Sequence, residues 1–123
     1  MERPYNYESI TILKISFKNL EELPSWVSEC KKLDNLNCLF NKITLLNNLP
    51  QTLNELYCNN NKITNLNNLP QTLKILNCSS NKLTELDNLP QTLKNLKCYD
   101  NSLKYDFEPT LENIRNHSKH NKL

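Results

Sequence analysis

The chain has 123 residues and a net charge of +2, enough for one domain with one continuous core and too balanced to favour nucleic acid or an anionic membrane surface. It contains no glycine and no alanine, while asparagine occurs 22 times. The missing glycine excludes Walker loops, dinucleotide-binding GxGxxG turns and the GxSxG nucleophile elbow, all of which need backbone without a Cβ at close quarters.

In chain order, residues 1–9 read as an N-terminal cap: MERPYNYES has no basic segment followed by an apolar one, so no signal peptide is expected. No apolar run approaches the roughly 20 residues of a membrane helix, and the expectation is a soluble, cytoplasmic protein. From residue 10 the sequence repeats. The first unit, 10–32, carries Ile10, Leu13, Ile15, Lys18 and Leu20 and is lengthened by LEELPSWVSECKKL, where Ser25 is expected to cap a helical turn over 26–32. The second, 33–52, repeats the spacing as Leu33, Leu36, Cys38, Asn41 and Ile43, and the third, 53–72, as Leu53, Leu56, Cys58, Asn61 and Ile63. The fourth, 73–92, has Leu73, Leu76, Cys78, Asn81 and Leu83; the fifth, 93–108, has Leu93, Leu96, Cys98, Asn101 and Leu103. Residues 109–123 follow as a C-terminal cap or tail, with Pro109 at a helix start and Leu111 and Ile114 on one face.

The second and third apolar positions of each unit lie two apart, which in a strand points both to one side. The spacing predicts a short strand per unit, near residues 55–59 in the third, stacked in parallel on the next. A period of twenty leaves no room for a helix on the way back. NNLPQTL is expected to run extended, because Pro50, Pro70 and Pro90 fix φ and lack a donor.

The pattern L-x-x-L-x-L-x-x-N-x-L, with Cys or Ile at its third apolar position, resembles the leucine-rich repeat family over residues 10–108 in five copies. The short repeats with Leu-Pro in the return path resemble those of bacterial effector proteins. The bias to Asn, Lys and Ile suggests an AT-rich genome, such as that of an amoeba or a large DNA virus. The resemblance implies a leucine-rich repeat solenoid with a short parallel β-sheet on the concave face, extended or polyproline return segments on the convex face, and little helix. It also implies that Asn41, Asn61, Asn81 and Asn101 form a buried structural ladder. An Asn amide has two donors and an acceptor to offer backbone groups that water cannot reach. Lys18 breaks the column in the first unit.

Cys38, Cys58, Cys78 and Cys98 form a second column, one per strand. Zinc sites pair cysteines two to four residues apart, and side chains on adjacent parallel strands point alike, a poor disulfide geometry. These thiols are read as apolar filler, with Cys30 on the convex side. Lys42, Lys62 and Lys82 form a third column, interleaved with Glu85 and Asp87, which reads as a solvated edge and not a phosphate-binding stripe. His117 and His120 share a helical face in a polar tail. No metal and no cofactor are expected.

The outward strand residues form a grid: Lys14, Ser16, Phe17; Asn37, Leu39, Phe40; Tyr57, Asn59, Asn60; Asn77, Ser79, Ser80; Lys97, Tyr99, Asp100. No row joins a nucleophile, a base and an orienting acid, so an enzyme is not expected. Phe17 and Phe40 either join the grid or turn inward at the strand end. Leu39, Tyr57, Lys97, Tyr99 and Asp100 are the candidate partner-binding residues, aromatic side chains being common anchors of interfaces. The expected function is a protein–protein interaction module acting through the concave face. Its partner is a protein not identifiable from the sequence, without nucleic acid or membrane, and the chain is a monomer or a dimer through an exposed solenoid end. The alternatives are a structural or virion-associated protein that self-associates, or the substrate-recognition part of a ligase whose catalytic domain is a separate protein.

Overall fold

The computed structural model describes residues 1–121; the last two residues of the unit 109–123 lie outside the described part. Five three-residue strands, β1 (Ile12–Lys14), β2 (Asn35–Asn37), β3 (Glu55–Tyr57), β4 (Ile75–Asn77) and β5 (Asn95–Lys97), form one parallel sheet in sequence order. Leu13, Leu36, Leu56, Leu76 and Leu96 stand in register across it. Each turn of chain therefore advances the sheet by one strand, and the molecule is a parallel β-solenoid of about four turns with little helix. The third strand, Glu55–Tyr57, is shorter than residues 55–59, and the chain bends two residues after the cysteine of each unit.

That bend has a conformational signature. Phe17, Phe40, Asn60, Ser80 and Asp100, one residue before the ladder column, all have left-handed backbone with φ between 54° and 60°. An L-residue there costs roughly 1–2 kcal/mol, which glycine would avoid. In a chain without glycine the turn is held instead from outside. The N–H groups of Phe40, Asn60 and Ser80 each donate to the following turn, to Asn59, Ser79 and Tyr99 oxygens at 2.9–3.1 Å.

The core is one continuous column. Leu33, Leu53, Leu73 and Leu93 are at most 1% exposed, as are Leu36, Leu56 and Leu76, and Ile43, Ile63 and Leu83 join them from the far side of the bend. One unit has no other surface on which to bury these side chains than its neighbours. The return path carries neither helix nor strand; Leu73 N–H donates to the Pro70 oxygen and Leu93 N–H to the Pro90 oxygen, both at 3.2 Å, closing Pro-Gln-Thr-Leu as a turn. Thr52, Thr72 and Thr92 then tie successive turns, their hydroxyls donating to the oxygens of Leu33, Leu53 and Leu73 at 2.7, 2.6 and 2.7 Å.

The ends differ. In the first unit a 3₁₀ helix, Ser25–Glu29, replaces the expected turn over 26–32, and its N-cap is Pro24 with no side-chain cap bond. Ser25 lies inside the helix, one residue too late to cap it. Trp26 and Val27 bury beneath, Cys30 is fully buried, and Trp26 Nε1 donates to the Met1 oxygen at 3.3 Å. At the other end α1 (Leu111–Asn121) begins on Thr110, whose Oγ1 accepts from Asn113 N–H at 3.1 Å. Ile114 is 1% exposed and joins the buried core from the helix. Arg115 Nη2 donates to the oxygens of Pro90, Gln91 and Leu93 at 3.1, 3.2 and 2.6 Å. Tyr105 stacks on Phe107, donates to Asp87 at 2.6 Å and accepts from Leu86 N–H at 2.6 Å, with the His117 ring edge-on at 5.2 Å. Burial, then the bond to Asp87, pushes the Tyr105 hydroxyl pKa well up, so it stays a donor. Among the described residues no helix is long and apolar enough to cross a membrane.

Candidate functional site

The outward face of the sheet is set by strand alternation: the middle residue of each strand points in, its neighbours point out. Three outward rows result. The first, Ile12, Asn35, Glu55, Ile75 and Asn95, is absent from the grid drawn from the sequence, although the same two-residue spacing predicts it. The second is Lys14, Asn37, Tyr57, Asn77 and Lys97. The third, past the strand ends, is Ser16, Leu39, Asn59, Ser79 and Tyr99.

Along these rows the candidate residues fall into two groups. Lys97, Tyr99 and Asp100 sit together on β5 and its exit, all exposed, with Tyr99 at 65%. Asp100 accepts from Ser80 Oγ at 2.9 Å, which holds its carboxylate toward β4. Leu39 and Tyr57 lie on the other half of the sheet and are half-buried. Tyr57 OH donates to Glu55 Oε1 at 2.7 Å, and this bond, followed by burial, raises the phenol pKa. Strand β4 separates Tyr57 from Lys97, so the two groups are about 10 Å apart at two strand spacings.

Phe17 and Phe40 do not turn inward. They are 71% and 47% exposed and stack at 4.8 Å with planes 10° apart. Their left-handed backbone swings both rings out of the core and onto one ledge. The ledge borders an open cleft of about 340 Å³ lined by Phe17, Asn19, Phe40, Asn41, Lys42 and Asn60. The centre of the face is polar. Ser79 is 2% exposed and so is not an accessible member of the grid; its Oγ and Asn59 Oδ1 have no hydrogen-bond partner among the described residues.

Beneath the ledge each column Asn spans two turns. Asn61 Nδ2 donates to the oxygens of Cys38, Cys58 and Asn59 at 3.1, 3.1 and 3.4 Å, and its Oδ1 accepts from Ile43 N–H at 3.0 Å. Asn81 and Asn101 repeat this one and two turns on, with Ile63 and Leu83 N–H as donors. At the first turn Lys18 offers no amide, and Asn41 Oδ1 accepts from both Lys18 and Leu20 N–H at 3.0 Å. The Thr52, Thr72 and Thr92 column does similar work on the return path. The sequence signal for it, PQTL recurring every twenty residues, is as regular as that for the asparagines, but the reading from sequence assigned only the prolines a role.

All five cysteines are buried free thiols. Burial pushes the Cys38 thiol up to about 12 and those of Cys58 and Cys78 well above their ordinary value, so none is a ready nucleophile. Among the described residues no group of three or more His, Cys, Asp or Glu side chains is placed to hold a metal ion. The outward face carries aromatic side chains at both ends, Phe17 and Phe40 at one and Tyr99 at the other, and an exposed lysine on each edge strand, Lys14 and Lys97. Compared with known proteins, the chain matches no family model and no curated protein.

Proposed function

We propose that the protein is an interaction module of the leucine-rich repeat type that binds a partner protein through the concave β-face. The observation that carries this reading is the exposed aromatic surface of a chain whose core is otherwise full: Phe17, Phe40 and Tyr99 are 71%, 47% and 65% exposed. A rigid side chain of large area loses little entropy on binding, and Tyr is enriched at binding hot spots. Leu39 and Tyr57 extend the surface toward its middle, and Lys97 and Asp100 orient the partner by charge. The role is binding and not catalysis, because Ser80 and Asp100 hydrogen-bond with no histidine in the rows.

The test is affinity capture followed by direct binding measurements on the captured partner. Tyr57→Ala with Tyr99→Ala is expected to weaken binding by about 2 kcal/mol or more, with little change in unfolding midpoint. Lys62→Ala with Lys82→Ala, on the exposed lysine column, is the control. If the lysine pair abolishes binding and the tyrosine pair does not, the working surface is the edge and the concave-face reading is wrong.

A further inference from the structure

The sheet has an edge at β5 that the C-terminal cap does not close. In every earlier turn two N–H groups beyond the strand centre donate to the next turn. Those of Cys38, Cys58 and Cys78 do so at 2.8–2.9 Å, and those of Phe40, Asn60 and Ser80 at 2.9–3.1 Å. Their equivalents at Cys98 and Asp100 have no backbone partner among the described residues. By strand alternation the N–H and C=O of Leu96 point to the same empty side. The cap meets the interior instead: Ile114 joins the buried core, Arg115 binds the Pro90, Gln91 and Leu93 oxygens, and the Pro109 oxygen accepts from Cys98 Sγ at 3.3 Å. Leu96 is left partly exposed, whereas Leu36, Leu56 and Leu76 are at most 1% exposed.

We propose that this edge is a homodimerisation site, at which a second copy of the chain adds its own β5 antiparallel across a twofold axis through Leu96. Charge decides between this and the other ways of pairing two copies. Head-to-tail stacking, β5 onto β1 of a second copy, continues the second outward row and sets Lys97 beside Lys14, two like charges on adjacent strands. A twofold centred on residue 97 sets Lys97 against its own copy. The twofold centred on Leu96 sets the exposed Asn95 of each copy against Lys97 of the other and brings the two partly exposed Leu96 side chains together. It also provides partners for the Leu96 N–H and C=O and, through the Lys94 oxygen of the other copy, for the Cys98 N–H, and the result is a closed pair, not a fibre. Edges three residues long make a small interface, so dissociation is on the order of 100 µM, at the weak end for specific contacts.

The experiment is sedimentation of the full chain from about 10 µM to about 1 mM, a range that brackets so small a contact, with amide exchange at both limits. A monomer–dimer equilibrium is expected, with the Leu96 and Cys98 amides slowing as concentration rises and the Ile12 and Lys14 amides unchanged. Asn95 is exposed, so its variants keep the fold: Asn95→Lys should weaken the dimer and Asn95→Asp tighten it, each by about threefold or more. A chain that stays monomeric at the highest concentration overturns the proposal and leaves the edge to a strand of another protein. So do protection of the β1 amides, species larger than a dimer, or a dimer indifferent to both Asn95 variants.

Discussion

Replacing Asn81 by Ala removes four hydrogen bonds, yet the structure says that only one loss is serious. Asn81 Nδ2 donates to the oxygens of Cys58, Cys78 and Ser79. Cys58 O also accepts from Asn61, Cys78 O from Asn101, and Ser79 O from Asn60 N–H. Each carbonyl therefore keeps a partner. The Ile63 N–H does not, since Asn81 Oδ1 at 3.0 Å is its acceptor and Ile63 is fully buried. An orphaned buried donor costs about 1–3 kcal/mol, and with an m-value near 2 kcal/mol/M the urea midpoint should fall by about 0.5–1.5 M. Asn88→Ala, in the exposed return path, should stay within about 0.5 kcal/mol. The shared carbonyls add a sharper test. Asn61→Ala with Asn81→Ala takes both side-chain donors from Cys58 O, so the double variant should exceed the sum of the singles by about 1 kcal/mol. Equal midpoints for Asn81→Ala and Asn88→Ala, or strict additivity in the double variant, would refute the reasoning.

Deleting residues 53–72, one whole unit, should leave a folded and shorter protein by circular dichroism, whereas deleting 53–62 breaks the period and should abolish cooperative unfolding. In denaturant without reductant a thiol reagent should count five thiols in protein kept reduced; in the native state all five should react slowly, being buried. Truncation after Glu108 removes the buried Ile114 from the core and Arg115 from its three carbonyls, and should give aggregation or a large fall in thermal midpoint.

The strands, their order and the inward column were legible because a side chain two residues from another on a strand must share its face, and the repeat displays that spacing five times. The turn conformation was not. Left-handed backbone is usually signalled by glycine, and here Phe17, Phe40, Asn60, Ser80 and Asp100 occupy it with no common side-chain chemistry. That misdirection matters for the candidate site, since the direction of the Phe17 and Phe40 rings follows from φ and not from apolarity. The burial of Ser79 was equally hidden: alternation gives the side of the sheet, while access depends on the bulk of neighbours in adjacent turns. Ser25 shows the limit at an element end, where an apt capping residue is displaced by one position when Pro24 takes the cap.

The seat of Arg115 sets no limit on how many turns lie beneath it. Thr72 donates to the oxygens of Gln51 and Leu53, Thr92 to those of Gln71 and Leu73, and Arg115 to those of Gln91 and Leu93. The helix thus reads a pair of carbonyls that every turn presents in the same place. A gene that gained or lost one sixty-nucleotide segment by unequal recombination would hand the helix an equivalent landing site. The sheet would change width by one strand spacing, about 4.8 Å, with both termini intact. Breadth of the recognition face is in this way separable from the means of ending the coil, and relatives differing by whole turns should share the Arg115 contact.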